Sequence, residues 1–91
     1  MDIQWDERKA AANLRKHGVS FEEAATVLRD PIAFTFTDPG HYAEVRDITI
    51  GWSVLRKLLV VVHTSRAGNA IRIISARQAT RKERKQYEEG I

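Results

Sequence analysis

The chain has no cysteine, so neither a disulfide framework nor a thiolate metal site is available to it. Its three histidines, His17, His41 and His63, are scattered without ligand spacing, which argues against a histidine metal centre. No glycine-rich phosphate loop follows a strand, and no nucleophile elbow is present. Aromatic residues make up only 8% of the chain, too few for extended base stacking. No apolar run is long enough to cross a membrane, and the stretch MDIQWDERK lacks the apolar core of a signal peptide. There is no internal repeat, low-complexity segment or linker. We therefore expect a single domain over residues 1–91, in a reducing cytoplasm, without membrane association, metal or cofactor.

What is present is a concentration of cations. The net charge of +3 is mild, but Arg66, Arg72, Arg77, Arg81, Lys82, Arg84 and Lys85 fall within one stretch opposed only by Glu83. Such clustering points to phosphate, nucleic acid or an acidic partner. Arg81 and Lys82 read more simply as a solvated helix face. The stretch LLVVVHTSRAGNAIRIISAR (58–77) is organised as two strands joined by a loop over 65–69. Gly68 and Asn69 tolerate the positive φ that such a loop needs. Regular alternation would put Ile71, Ile73 and Ser75 on one face of the second strand and Arg72, Ile74 and Ala76 on the other.

The remaining elements follow from local signals. Asp2–Trp5 suits an edge strand. Asp6 is an N-cap, and Ala10, Asn13, Leu14 and His17 share a helical face ending at Gly18. Ser20 and Glu23 form a capping box, with Val19 and Ala24 placed as a hydrophobic staple. Pro31 closes that second helix. Ile32–Thr37 alternates as a strand, and Asp38-Pro39-Gly40 is a turn. Along Glu44–Ser53, Glu44, Arg46, Ile48, Ile50 and Trp52 face one side. Thr80 and Glu83 form another capping box for a helix reaching about Glu89. The order is β-α-α-β-β-β-β-α. This is a small α+β domain: an antiparallel sheet with helices mainly on one face. Trp5, Trp52, Phe21, Phe34 and Phe36 are expected in the core.

These cations, with Glu44, His17, His63 and Tyr87 as proton carriers, suit metal-free RNA cleavage. There the ribose 2′-hydroxyl is the nucleophile, so the protein need supply only a base, an acid and charge stabilisation. The order and spacing of several motifs strengthen this. They are Trp5-Asp6, Lys9, Asn13, the run Lys16–Ala24, Asp30-Pro31, Glu44-x-Arg46 and Ile50-Gly51-x-Ser53. Further along come Thr64-x-Arg66, the run Arg72–Arg77 and Glu83-Arg84-x-x-Tyr87. Through them nearly the whole chain resembles the BrnT toxins of bacterial type II toxin–antitoxin systems. That resemblance implies a RelE-like fold and a ribonuclease that arrests translation. It also implies a ribbon-helix-helix antitoxin through which DNA is bound only indirectly. One departure is the turn Val54-Leu55-Arg56-Lys57, which lacks the glycine often found there.

We accordingly expect Arg66, Arg77, Glu44 and Tyr87 as catalytic residues, and Lys16, Arg46, Arg72 and Arg84 as RNA contacts. Each has a plainer reading. Arg77 can pair with Glu83, Arg72 with Glu44, and Glu44 with Arg46. Lys16 and His17 can simply complement a helix dipole. Tyr87 can meet Arg84 one turn away or pack its ring with the hydroxyl at the surface. His63 suits a hydrogen-bonded core position. Competing functions are a non-catalytic nucleic-acid-binding module and a protein-interaction domain with an acidic partner.

Overall fold

The central hairpin pairs β4 (Leu58–Arg66) with β5 (Ala70–Gln78) in a computed structural model that describes residues 1–38, 40 and 44–90. Gly68 at φ 73° and Asn69 at φ 64° close the hairpin, in the left-handed region expected for them. β3 (Arg46–Trp52) and then β2 (Phe34–Asp38) continue the antiparallel meander, while β1 (Asp2–Gln4) lies parallel beside β5. The sheet order is β1-β5-β4-β3-β2. The turn proposed at 38–40 includes Pro39, which lies outside the described residues.

Helices α1 (Glu7–His17) and α2 (Phe21–Leu28) cover one face of the sheet. Val19, Phe21, Ala24 and Val27 pack there against Leu59, Val61, Ile73 and Ala76, all fully buried. Helix α1 docks differently from its apolar pattern. Leu14 is half exposed, and the contact is polar: Asn13 Nδ2 donates to the carbonyls of Val19 (3.0 Å) and Ala76 (2.8 Å). The Ala76 N–H donates back to Asn13 Oδ1 at 3.1 Å, so one side chain satisfies part of β5's open edge. Close approach of Ala33, which follows α2, requires Gly51: a Cβ there would stand 2.7 Å from the Ala33 Cβ and 3.2 Å from Val27 Cγ1 of α2.

Helix α3 (Arg81–Glu88) lies on the opposite face, where Tyr87 and Ala79 pack with Ile50, Trp52, Leu58 and Val60. Its capping box is complete, with both reciprocal hydrogen bonds formed. The box of α2 is only half made. The Glu23 N–H donates to Ser20 Oγ, but the Glu23 carboxylate turns away to accept from Ser53 Oγ at 2.7 Å. Phe34 and Phe36 are not core residues: β2 is the edge strand, and both rings stay about 40% exposed (40% and 38%).

One irregularity positions the site. Val62 pairs with Ser75 but His63 pairs with Ile73, leaving Ile74 as an extra residue in β5. The alternation expected from the sequence therefore fails there. Ala76 joins Ile73 on the helix-covered face, while Ser75 and Arg77 turn to the other.

Candidate nucleic-acid interface

Residues opposite each other in neighbouring strands share a face. Arg77 stands opposite Val60, Ser75 opposite Val62, Arg72 opposite Thr64, and Arg66 opposite Ala70. Val62 is in turn opposite Ile48, and Arg46 continues that face of β3. All four arginines thus stand on the face away from α1 and α2. In a regular strand, Arg72 and Arg77 would point to opposite sides, being five residues apart. The bulge at Ile74 brings them to the same one. Helix α3 covers only the end of this face near Trp52 and Leu58.

At the other end, Glu44 and Arg66 line an open hollow of about 330 Å³ together with Val45, Asp47, Thr64 and Ser65. Glu44 Oε1 lies 3.5 Å from Arg46 Nε, and that nitrogen is buried without a hydrogen-bond acceptor. The contact is therefore coulombic rather than a hydrogen bond. Arg66 is exposed, and among the described residues no carboxylate pairs with it. Arg72 reaches Asp6 at 3.9 Å rather than Glu44. Asp6 accepts hydrogen bonds from the Lys9 and Arg8 N–H groups, which hold its pKa below the usual value, with Arg72 adding to this.

At the α3 end, Arg77 makes a two-pronged ion pair with Glu83, Nη1–Oε1 2.7 Å and Nη2–Oε2 2.8 Å. The same carboxylate accepts from the Thr80 N–H at 2.8 Å. Arg77 lowers the Glu83 pKa to about 2 and has its own raised by the pair. Arg84 has partners other than the one considered from the sequence. Its guanidinium lies 4.9 Å from the Trp52 ring centroid and 4.0 Å from Glu88. Tyr87 donates to the Ile32 carbonyl at 3.3 Å, and burial, then Asp30, raises its pKa.

Glu44, Arg46, Arg66 and Arg72 thus gather at one end of the open face, and Arg77, Arg84 and Tyr87 at the other. Arg66 and the partner of Arg77 are six residues apart along β4, about 20 Å of strand. Lys16 stands apart from both, on α1 beside Ile74 and Ser75 in a hollow shared with His17. His63 is a core residue, its Nε2 2.7 Å from Thr49 Oγ1 and its pKa lowered by burial. Sequence reading missed the Asp6–Arg72 contact, because it depends on β1 joining β5, and no local signal marks that. Among the described residues no group of three histidine, aspartate or glutamate side chains is placed to hold a metal. No described helix is long and apolar enough to cross a membrane.

Comparison with known proteins agrees with this picture. Residues 5–83 match the family described as the ribonuclease toxin BrnT of type II toxin–antitoxin systems. Among solved structures, the chain is similar to the crystal structure of the Brucella abortus ribonuclease toxin BrnT. The TM-score is 0.69 at 29% sequence identity, covering 89% of this chain and 99% of that one. A search of curated proteins returned no match.

Proposed function

Since the chain belongs to the BrnT family of ribonuclease toxins of type II toxin–antitoxin systems, we propose that it is a metal-independent, RelE-like endoribonuclease working on its open sheet face. The observation that carries this reading is the bulge at Ile74, which sets Arg72 and Arg77 on one face with Arg46 and Arg66. Their strand positions are four β4 residues apart, about 13 Å, so two long guanidinium arms can flank a phosphate lying over Val62 and Ser75.

In the proposed reaction Glu44 takes the proton of the ribose 2′-hydroxyl. The 2′ oxygen bonds to the adjacent phosphorus, and the bond from phosphorus to the 5′ oxygen breaks. That oxygen takes its proton from solvent, because Tyr87 stands at the far end of the face from Glu44, its hydroxyl on the Ile32 carbonyl. Charge gathering on the phosphorane is met by arginines already in place, which costs no reorganisation during reaction. Cleavage of messages in the cytoplasm would arrest translation. We further propose that the antitoxin is a ribbon-helix-helix protein that covers this basic face and alone contacts DNA.

The product ends test the chemistry. Incubating the purified chain with a defined oligoribonucleotide should yield 2′,3′-cyclic phosphate and 5′-hydroxyl termini. Products ending in 3′-hydroxyl and 5′-phosphate would replace 2′-hydroxyl attack with attack by water.

A further inference from the structure

A second group of cations lies beyond Arg77. Arg56 and Lys57, from the turn between β3 and β4, and Arg81 and Arg84, from α3, line a hollow of about 180 Å³. Among the described residues no carboxylate lines it. Like charges crowd at this spot without a lining counter-charge, an arrangement that raises the local concentration of anions.

The turn is built rather than loose. Ser53 Oγ accepts from the Leu55 and Lys57 N–H groups and donates to the buried Glu23 carboxylate. The Val54 N–H donates to Thr26 Oγ1 on α2 at 3.0 Å. Backbone bonds from Ser53 to Lys57 and from Arg56 to Ser53 complete it. Arg56 holds φ at 63°, a left-handed conformation in which glycine would be at ease and a long side chain is not. The fold therefore tolerates local strain to hold a guanidinium at the rim of a hollow already lined by three other cations. Across from it, Arg84 is steadied over Trp52.

We propose that this hollow is a second backbone subsite, holding a phosphodiester of the RNA remote from the bond that is cleaved. It continues the line of Arg66, Arg72 and Arg77 along β4 and β5: Gln78, which also lines it, pairs with Leu59 one step beyond the pair Val60 and Arg77, and Leu58 lies one residue further. From Leu58 to Arg66 is eight residues, about 26 Å of strand, a span that takes in several nucleotides of an extended single strand. The subsite rests on the nuclease reading above.

The test uses Arg56→Gly with Lys57→Gln in the full chain, and a 2′-O-methyl oligoribonucleotide, which has no free 2′-hydroxyl and is not cleaved. Binding is measured by fluorescence anisotropy across a salt series. Losing two phosphate contacts should weaken binding roughly tenfold at about 0.15 M salt and make the salt slope shallower by about 1.4. The variant should melt no lower than the parent, because glycine relieves the strain at position 56. A charge-matched control, Arg8→Ser with Arg15→Ser on α1, should bind as the parent does. Unchanged affinity and slope in the test variant would overturn the subsite and leave the nuclease reading standing. An equal loss in the control would overturn it too, by reducing the effect to net charge. Loss of antitoxin binding with RNA binding intact would assign the hollow to the protein partner instead. Failure of the parent chain to bind the oligonucleotide would overturn subsite and nuclease reading together.

Discussion

Arg77 and Glu83 join β5 to α3 through two parallel hydrogen bonds of 2.7 and 2.8 Å. The Glu83 carboxylate also accepts from the Thr80 N–H, so one side chain both caps the last helix and anchors it to the sheet. The pair lies beside the open face on which cleavage is proposed. Its energetics and its chemistry can be tested separately.

The energetics predict an acid-sensitive fold. The Glu83 pKa is about 2 against an ordinary 4.5. Above the ordinary value the carboxylate is ionised in folded and unfolded chains alike, and its contribution is complete. As pH falls below it, the unfolded chain takes up a proton that the folded one resists. Stability should therefore drop between about pH 4.5 and pH 2, by about 1–2 kcal/mol after allowing for partial exposure of both partners. Glu83→Gln should flatten that part of the pH–stability curve in urea titrations. An unchanged curve would deny the pair this role.

For the chemistry, Arg77→Ala should lower RNA cleavage roughly a hundred- to thousandfold, the cost of losing one preorganised donor, about 2.7–4 kcal/mol. Glu83→Gln leaves the guanidinium in place and should keep most of the activity. If Arg77 serves only to anchor α3, the two variants will lose activity equally. Single-turnover rates on variants shown by circular dichroism to be folded separate these outcomes.

Asn13→Ala should destabilise the chain by about 3 kcal/mol. It strips hydrogen bonds from the Val19 and Ala76 carbonyls and the Ala76 N–H at a buried junction, where water replaces them poorly. Thermal melting with a loss below about 1 kcal/mol would show that the β5 edge is satisfied in another way.

RNA cleavage should persist in excess EDTA, because in the proposed reaction the arginines take the charge-stabilising part that a divalent ion plays elsewhere. Complete loss on chelation, restored by Mg²⁺ or Mn²⁺, would refute the metal-independent route.

Mixing the chain with its antitoxin should abolish RNA binding, since acidic and polar groups covering the open face would displace phosphates. A complex that still cleaves RNA as fast as the free chain would refute inhibition by covering that face.

The elements themselves were legible in the sequence because their causes are local. Asp6, Ser20 and Thr80 accept from N–H groups two or three residues on, and Gly18, Gly68 and Asn69 take positive φ where the chain must turn. The alternation of β3 and the apolar run of β4 likewise belong to single strands. The site cations were visible too, as a cluster and as part of the family resemblance. Their arrangement was not. Whether Arg72 and Arg77 share a face depends on one extra residue at Ile74, and a bulge is a property of paired strands rather than of either alone. Glu23 satisfied the local pattern of a capping box, yet its carboxylate went to Ser53, thirty residues away along the chain and 2.7 Å away in the fold. Phe34 and Phe36 read as core but lie on an edge strand, because strand order decides what covers a side chain. Short-range sterics and hydrogen bonding are written residue by residue; register, strand order and the choice among distant partners are decided only when the whole sheet has assembled.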